Sequence, residues 1–185
     1  MDPARFRLDR ARAALLVVDV QERLAAAMPP AELDQVVKNC VRLVEGAKIL
    51  GVPILWTEQY VKGLGPTVGP IREAIGPAGK PVEKLVFTCC VPEIERGLEG
   101  REQLVLCGME THVCVFQTVR DLEERGLRTF VAADAVLSRS RANWQVGLDL
   151  MRQAGGTITG TETVLFDLTG RAGTDEFRAI SKLVK

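Results

Sequence analysis

The sequence has 185 residues but a single histidine, His112. One histidine cannot supply a histidine-based zinc site, so no metal site and no cofactor is predicted. The five cysteines are odd in number and form no C-x-x-C pair, which disfavours a disulfide framework. Positive and negative residues balance at 24 each. The sequence therefore carries no charge excess that would favour nucleic acid or an anionic membrane as a partner.

Long apolar runs are also missing. No run approaches the roughly 20 residues that span a bilayer, and the N-terminal segment MDPARFRLDRAR lacks the apolar stretch of a signal peptide. The predicted location is therefore the cytoplasm, where thiols stay reduced. No repeat or linker divides the chain, so residues 1–185 are predicted to form one domain.

Apolar runs of strand length alternate with amphipathic helical stretches along the whole chain. This alternation predicts right-handed crossovers and a single three-layer α/β/α domain, whose mainly parallel, Rossmann-like sheet has about six strands. The predicted strands are 13–20, 52–56, 82–87, 103–107, 128–132 and 157–159. The predicted helices are 33–50, 92–98, 111–125, 142–154 and 174–183, and segment 62–79 is predicted to be irregular apart from a short helix near 71–75.

A cysteine stands where the fourth strand ends and the next helix begins, in the segment GMETHVC that closes on Cys114. The N–H groups of a first helical turn lack intrahelical partners, and the helix dipole there favours negative charge. Such a position lowers the pKa of a thiol, and the thiolate is the nucleophile. The alternative interpretation is a small buried side chain, because free cysteines are among the most buried residues.

Two charged residues lie in other apolar runs. Asp19 closes the first strand in LLVVDVQ, where a carboxylate is costly to bury unless it is paired. Lys84 lies in VEKLVF, and a lysine in such a run is commonly an edge-strand residue that prevents sheet extension. Ligands of an open parallel sheet bind at the carboxyl ends of its strands. Asp19, Lys84 and Cys114 are therefore candidates for one site.

An aspartate ending the first strand, a lysine in K-x-x-F and a cysteine in G-x-x-T-x-x-C, in this order, resemble the cysteine hydrolases of the isochorismatase-like superfamily. The resemblance extends from LLVVDVQ to GGTITGTE. The segments TEQYVKGLGPTV and VEKLVFTC look most like the branch of isochorismatase-domain proteins whose substrates are poorly defined.

The resemblance implies a catalytic triad of Asp19, Lys84 and Cys114 that hydrolyses a small amide or related carbonyl compound through a covalent thioester. It also implies a cis peptide between Met109 and Glu110, and an oxyanion hole made by the backbone N–H groups of Glu110 and Cys114. Members commonly assemble as homo-oligomers, which is the expectation here. Two alternatives stay open: hydrolysis of an isochorismate-type vinyl ether, and a weakly active oligomeric scaffold or interaction protein of the same fold.

Four further residues, namely Gln21, Trp56, Tyr60 and His112, are candidates for the pocket. His112 and Cys114 are two residues apart on a predicted helix and should not face each other, so a Cys–His dyad is not expected. Nicotinamide-hydrolysing relatives hold a metal with an aspartate and histidines near the second strand, a set that this chain lacks. Glu110 stands where many relatives carry a small residue, and its carboxylate could repel a thiolate or select a cationic substrate.

Overall fold

A computed structural model describes residues 3–77 and 79–185 of the chain. The strands are β1 (Ala13–Val18), β2 (Ile54–Gln59), β3 (Val82–Lys84), β4 (Gln103–Met109), β5 (Arg128–Leu137) and β6 (Thr157–Thr159). The helices are α1 (Glu22–Ala25), α2 (Pro30–Leu50), α3 (Val61–Leu64), α4 (Gly69–Ile75), α5 (Pro92–Gly97), α6 (Phe116–Glu124), α7 (Arg141–Gln153), α8 (Thr161–Thr169) and α9 (Asp175–Leu183). A 3-10 helix spans Pro3–Phe6 and a π-helical turn spans Thr111–Val115. Within the two described ranges, no helix combines the length and the apolarity of a membrane span.

The six strands form one sheet in the order β3-β2-β1-β4-β5-β6, and every neighbouring pair is parallel. Strand β1 lies at the centre, where Leu16 pairs with Leu55 on one side and with Leu106 on the other. This sheet confirms the predicted fold class, including its six strands.

Helices cover both faces of the sheet, which explains why β1 is apolar at every position. Ala13, Leu15 and Val17 belong to a core shared with α2, α8 and α9. Their neighbours Ala14, Leu16 and Val18 belong to a second core shared with α5, α6 and α7. A strand buried on both faces has no solvent-facing side on which polar residues could alternate.

Several predicted strand limits were wrong. Strand β1 ends at Val18, before the predicted Val20, because Asp19 has a positive φ of 47° and leaves the extended conformation. Strand β2 runs from Ile54 to Gln59 instead of 52–56, since its polar end pairs with β3. Strand β3 stops at Lys84, three residues early. Strand β5 continues to Leu137 through a register shift against β4.

The helix predictions failed mainly where segments are short. Helices α1, α3 and α8 were not predicted, and the predicted helix 111–125 is divided into the π-helical turn and α6. Helix α8 reads TETVLFDLT, a threonine-rich sequence of modest helix propensity that depends on tertiary packing. The predicted closing helix is confirmed as α9, with Thr174 accepting a hydrogen bond from the N–H of Phe177 at 3.0 Å.

Candidate active site

The carboxyl ends of neighbouring strands bring the three predicted catalytic residues together. Asp19 follows β1, Lys84 ends β3, and Cys114 lies in the π-helical turn that follows β4. Asp19 and Cys114 share the wall of a cavity of about 100 Å³. The whole lining consists of Asp19, Leu24, Gln59, Leu64, Phe87, Glu110, Val113 and Cys114.

Lys84 and Asp19 form a fully buried ion pair. The Nζ of Lys84 lies 2.7 Å from Oδ2 of Asp19, and both side chains are 0% exposed. Burying two charges is costly, so the pair requires further hydrogen bonds. Lys84 Nζ donates to Gln59 Oε1 and to the Phe87 carbonyl, both at 3.0 Å, and Oδ1 of Asp19 accepts from Thr57 at 2.6 Å. Although β3 is an edge strand, Lys84 points inward, so its interpretation as a residue that prevents sheet extension was wrong.

The thiol of Cys114 does not have the lowered pKa that its position had predicted. Burial raises the pKa, and the charge of Asp19 together with a hydrogen bond to that carboxylate raises it further. The ammonium of Lys84 lowers the pKa of Cys114, but by less than burial and the charge of Asp19 raise it. The raised pKa favours the neutral thiol form of Cys114 at neutral pH.

The backbone before Cys114 has an unusual path. The Met109–Glu110 peptide bond is cis, at the position that the resemblance implied. Gly108 precedes it with a φ of 123°, and a Cβ there would lie 2.0 Å from the carbonyl oxygen of Val18. Only glycine permits both this conformation and this close approach of the two strands.

Glu110 contacts Arg139, a residue that the sequence reasoning missed. Oε2 of Glu110 accepts hydrogen bonds from the backbone N–H of Arg139 at 3.0 Å and from its Nε at 3.1 Å. The signal was obscured because strand β5 was predicted to end at Ala132, five residues before its observed end at Leu137, which Arg139 closely follows.

The four other candidate pocket residues lie away from the Cys114 cavity in the described structure. Gln21 is buried, and its Nε2 donates to the carbonyls of Gln59 at 2.9 Å and of Gly65 at 2.6 Å, so it fixes a loop. The ring of His112 is hydrogen-bonded through Nδ1 to Ser138 Oγ at 3.0 Å, which directs it toward β5. Gln21 and His112 are therefore not among the residues that line the Cys114 cavity, and their part in substrate binding stays a prediction.

The two aromatic residues line other cavities. Trp56 lies within β2, three residues before its end at Gln59, and lines a separate cavity with Arg72 and Gly79. Tyr60 is 55% exposed and lines a neighbouring groove with Lys84 and Leu85. Both rings were expected near the end of a shorter β2. The observed strand continues to Gln59, so Trp56 lies inside the strand and not at its end.

The polar groups that contact Cys89 and Cys114 were also missed. Thr118 donates to the carbonyl of Cys114 at 2.6 Å and accepts from the N–H of Cys89 at 2.8 Å, so one hydroxyl connects the two cysteine backbones. Burial raises the pKa of the Cys89 thiol to about 12, and the charge of Asp19 raises it as well. The sequence signal for polar partners near the site was the triplet Thr57-Glu58-Gln59 at the end of β2. Buried polar residues at a strand end require hydrogen-bond partners.

Comparison with known proteins identifies the relatives of this chain. Residues 13–163 match the family model described as the isochorismatase domain. The secreted isochorismatase effector Isc1 of Phytophthora sojae is 40% identical over 177 residues, which cover 92% of this chain and 83% of that protein. Isochorismatase domain-containing protein 2A of Mus musculus is 39% identical over 175 residues, covering 92% and 82%. The solved structure of MAR1 ribonuclease from Caenorhabditis elegans has a TM-score of 0.91 at 36% identity, covering 96% and 92%.

Proposed function

This chain belongs to the isochorismatase family of hydrolases, and from that premise we propose that it is a cysteine hydrolase of a small amide or related carbonyl compound. Cys114 is the proposed nucleophile, Asp19 the proton carrier and Lys84 the cation paired with Asp19. The observation that carries the proposal is the buried Lys84–Asp19 pair, which lies beside the thiol of Cys114 at a cavity.

In the proposed first step, Asp19 takes the proton of the Cys114 thiol while sulfur attacks the substrate carbonyl carbon. A concerted transfer suits the raised pKa of Cys114, because little thiolate exists at neutral pH before substrate binds. Each carboxylate oxygen has two lone pairs, so Asp19 can accept this proton while it retains Thr57 and Lys84. Lys84 keeps its positive charge and offsets the negative charge that moves from Asp19 toward the substrate oxygen.

The carbonyl electrons move to oxygen as the carbon–sulfur bond forms. We assign the resulting oxyanion to the backbone N–H groups of Glu110 and Cys114, since donors of a first helical turn lack intrahelical partners. The carbonyl re-forms as the carbon–nitrogen bond breaks, and Asp19 returns its proton to the departing amine. Water then attacks the thioester with Asp19 again as base, which releases the acid and the thiol.

The expected partner is a small molecule rather than nucleic acid or a membrane. The Caenorhabditis elegans neighbour is named a ribonuclease, so RNA belongs in the substrate panel. We favour a small carbonyl compound because the cavity measures about 100 Å³ and carries the carboxylates of Asp19 and Glu110, which repel phosphate groups.

We further propose that residues 1–185 act as one domain without a cofactor, in the cytoplasm and as a homo-oligomer. One continuous sheet runs through the chain, which supports one domain. All five cysteines are free, as is usual where thiols stay reduced. Leu85, Val86 and Phe87 form an exposed apolar run, and such patches favour association.

The test is a panel of small primary amides, with isochorismate and RNA included, monitored by product formation and by the intact mass of the protein. We expect an acyl adduct on Cys114, and its loss together with turnover in Cys114→Ala. Cys90→Ala is the matched control, because Cys90 lies outside the cavity lining and should leave the adduct unchanged. Undiminished turnover in Cys114→Ala would defeat the thioester mechanism; with isochorismate it would favour vinyl ether hydrolysis. Absence of adduct and turnover across the panel would favour the scaffold.

A further inference from the structure

The carboxylate of Glu110 is the part of the cavity wall that the proposed hydrolysis leaves without a role. Its side chain is 8% exposed and faces the cavity that also exposes Cys114. Both hydrogen bonds from Arg139 engage Oε2. Oε1 makes no hydrogen bond to the described part of the protein and can therefore accept one from a ligand.

Arg139 fixes the position of Glu110 but neutralises it incompletely. The Arg139 side chain is 60% exposed, so water screens its charge, and Arg139 is not among the residues of the cavity wall. The nearly buried carboxylate is screened far less. A molecule in the cavity therefore experiences Glu110 more strongly than Arg139.

The other charges near the cavity are already paired. Asp19 is bound by Lys84 and Thr57, and Gln59 accepts from Lys84 and donates to the carbonyl of Leu85. The remaining lining side chains are apolar, namely Leu24, Leu64, Phe87 and Val113. Glu110 thus provides a hydrogen-bond acceptor outside the proposed catalytic residues, in a wall whose other side chains are apolar or paired.

From this arrangement, and resting on the proposed cysteine hydrolase, we propose that Glu110 is a specificity-determining residue held in position by Arg139. It accepts a hydrogen bond from an N–H group beside the reacting carbonyl and rejects substrates that carry a carboxylate there. The substrate class is then a small neutral or cationic carbonyl compound with an N–H donor, such as a primary amide. Isochorismate carries two carboxylates, so the same charge disfavours the vinyl ether alternative.

Iodoacetamide and iodoacetate test this selection without knowledge of the natural substrate. The two reagents have similar size and alkylate the same sulfur, but one presents an amide N–H and the other a carboxylate. The measured quantity is the alkylation rate of Cys114 with iodoacetamide divided by its rate with iodoacetate. Both rates are followed by peptide mass at one pH. Because both reagents need the same thiolate, the ratio cancels any change in the thiolate fraction.

We expect this ratio to exceed the ratio for 2-mercaptoethanol by about tenfold or more, as one nearby unscreened charge would produce. Glu110→Gln should bring it within about threefold of the 2-mercaptoethanol ratio. Arg139→Gln should instead raise it, because Glu110 then lacks its partial neutralisation, whereas a merely structural role would move both variants in the same direction. Glu83→Gln is the matched control, since exposed Glu83 adjoins Lys84 in sequence but lies outside the cavity lining.

An unchanged ratio in Glu110→Gln, with Cys114 still alkylated, would overturn the role of Glu110 and leave the proposed nucleophile intact. Absence of an acyl adduct on Cys114 across the amide panel would instead refute the proposed hydrolase, and the role of Glu110 would fall with it.

Discussion

Gly147 lies in α7 where this helix contacts the turn that carries Cys114, and Gly147→Ala tests how tightly that contact holds the site. A Cβ at position 147 would lie 2.8 Å from the backbone nitrogen of His112. It would also lie 2.8 Å from the carbonyl carbon and oxygen of Thr111. These are main-chain atoms, so no side chain can rotate to make room and the helix and the turn must move apart.

Two opposing effects determine how much Gly147→Ala changes the free energy of unfolding. Alanine in place of glycine stabilises a helix interior by about 0.8–1 kcal/mol, while overpacking a well-packed contact costs about 1–3 kcal/mol. We expect overpacking to dominate and the free energy of unfolding to fall by about 1 kcal/mol. Since a shift of about 1 Å can cost about a hundredfold in rate, thioester formation at Cys114 should slow by about ten- to a hundredfold.

Urea unfolding measures the stability, and intact mass measures the rate of thioester formation. Gly46→Ala in α2 is the matched control: its Cβ would lie 2.2 Å from Cδ2 of Leu165, a side-chain atom outside the site. We expect Gly46→Ala to lose stability while its thioester rate stays unchanged. A Gly147→Ala protein as stable as the parent, with a full thioester rate, would refute the reasoning.

Two further predictions concern the buried charges and thiols. Lys84→Met should lower the free energy of unfolding by about 3–5 kcal/mol because it leaves Asp19 buried without its cation. The double variant with Asp19→Asn should recover most of this loss in urea unfolding, and a fully stable single variant would contradict the expectation. The folded-state pKa of Cys89 is raised from 9.0 to about 12. Its contribution to stability is therefore complete below pH 9.0 and is lost between these two values as the unfolded thiol ionises first, by about 1.4 kcal/mol per pH unit. The free energy of unfolding, measured with urea at a series of alkaline pH values, should fall less steeply with pH in Cys89→Ser than in the parent. Equal slopes against pH would be inconsistent with this prediction.

The parts of the fold that could be predicted were those with a strong local pattern. The apolar run of β1, the amphipathic stripe of α2 with Gly51 at its end, and the Thr174 cap of α9 each appear within a few neighbouring residues. Helix α8 and the far half of β5 could not be predicted in the same way. Both depend on packing or pairing with segments that are distant along the chain.

For the candidate site, motifs and order within the chain identified Asp19, Lys84 and Cys114, because charged residues and a cysteine stand out in apolar runs. The surroundings of these residues were less accessible. Gln59 was missed and Trp56 was misplaced, since a strand limit that shifts by a few residues changes which side chains reach the edge of the sheet.

The amino-acid sequence by itself determined the layered α/β architecture and placed Asp19, Lys84 and Cys114 at the carboxyl edge of the sheet. Strand periodicity and chain order suffice for that. Only the tertiary structure decided the charge state and the accessibility of those groups. Burial keeps the Cys114 thiol protonated against Asp19, Lys84 turns inward from an edge strand, and Arg139 holds Glu110 at the cavity. Desolvation and pairing depend on atoms brought together from distant segments, so no local pattern along the chain encodes them.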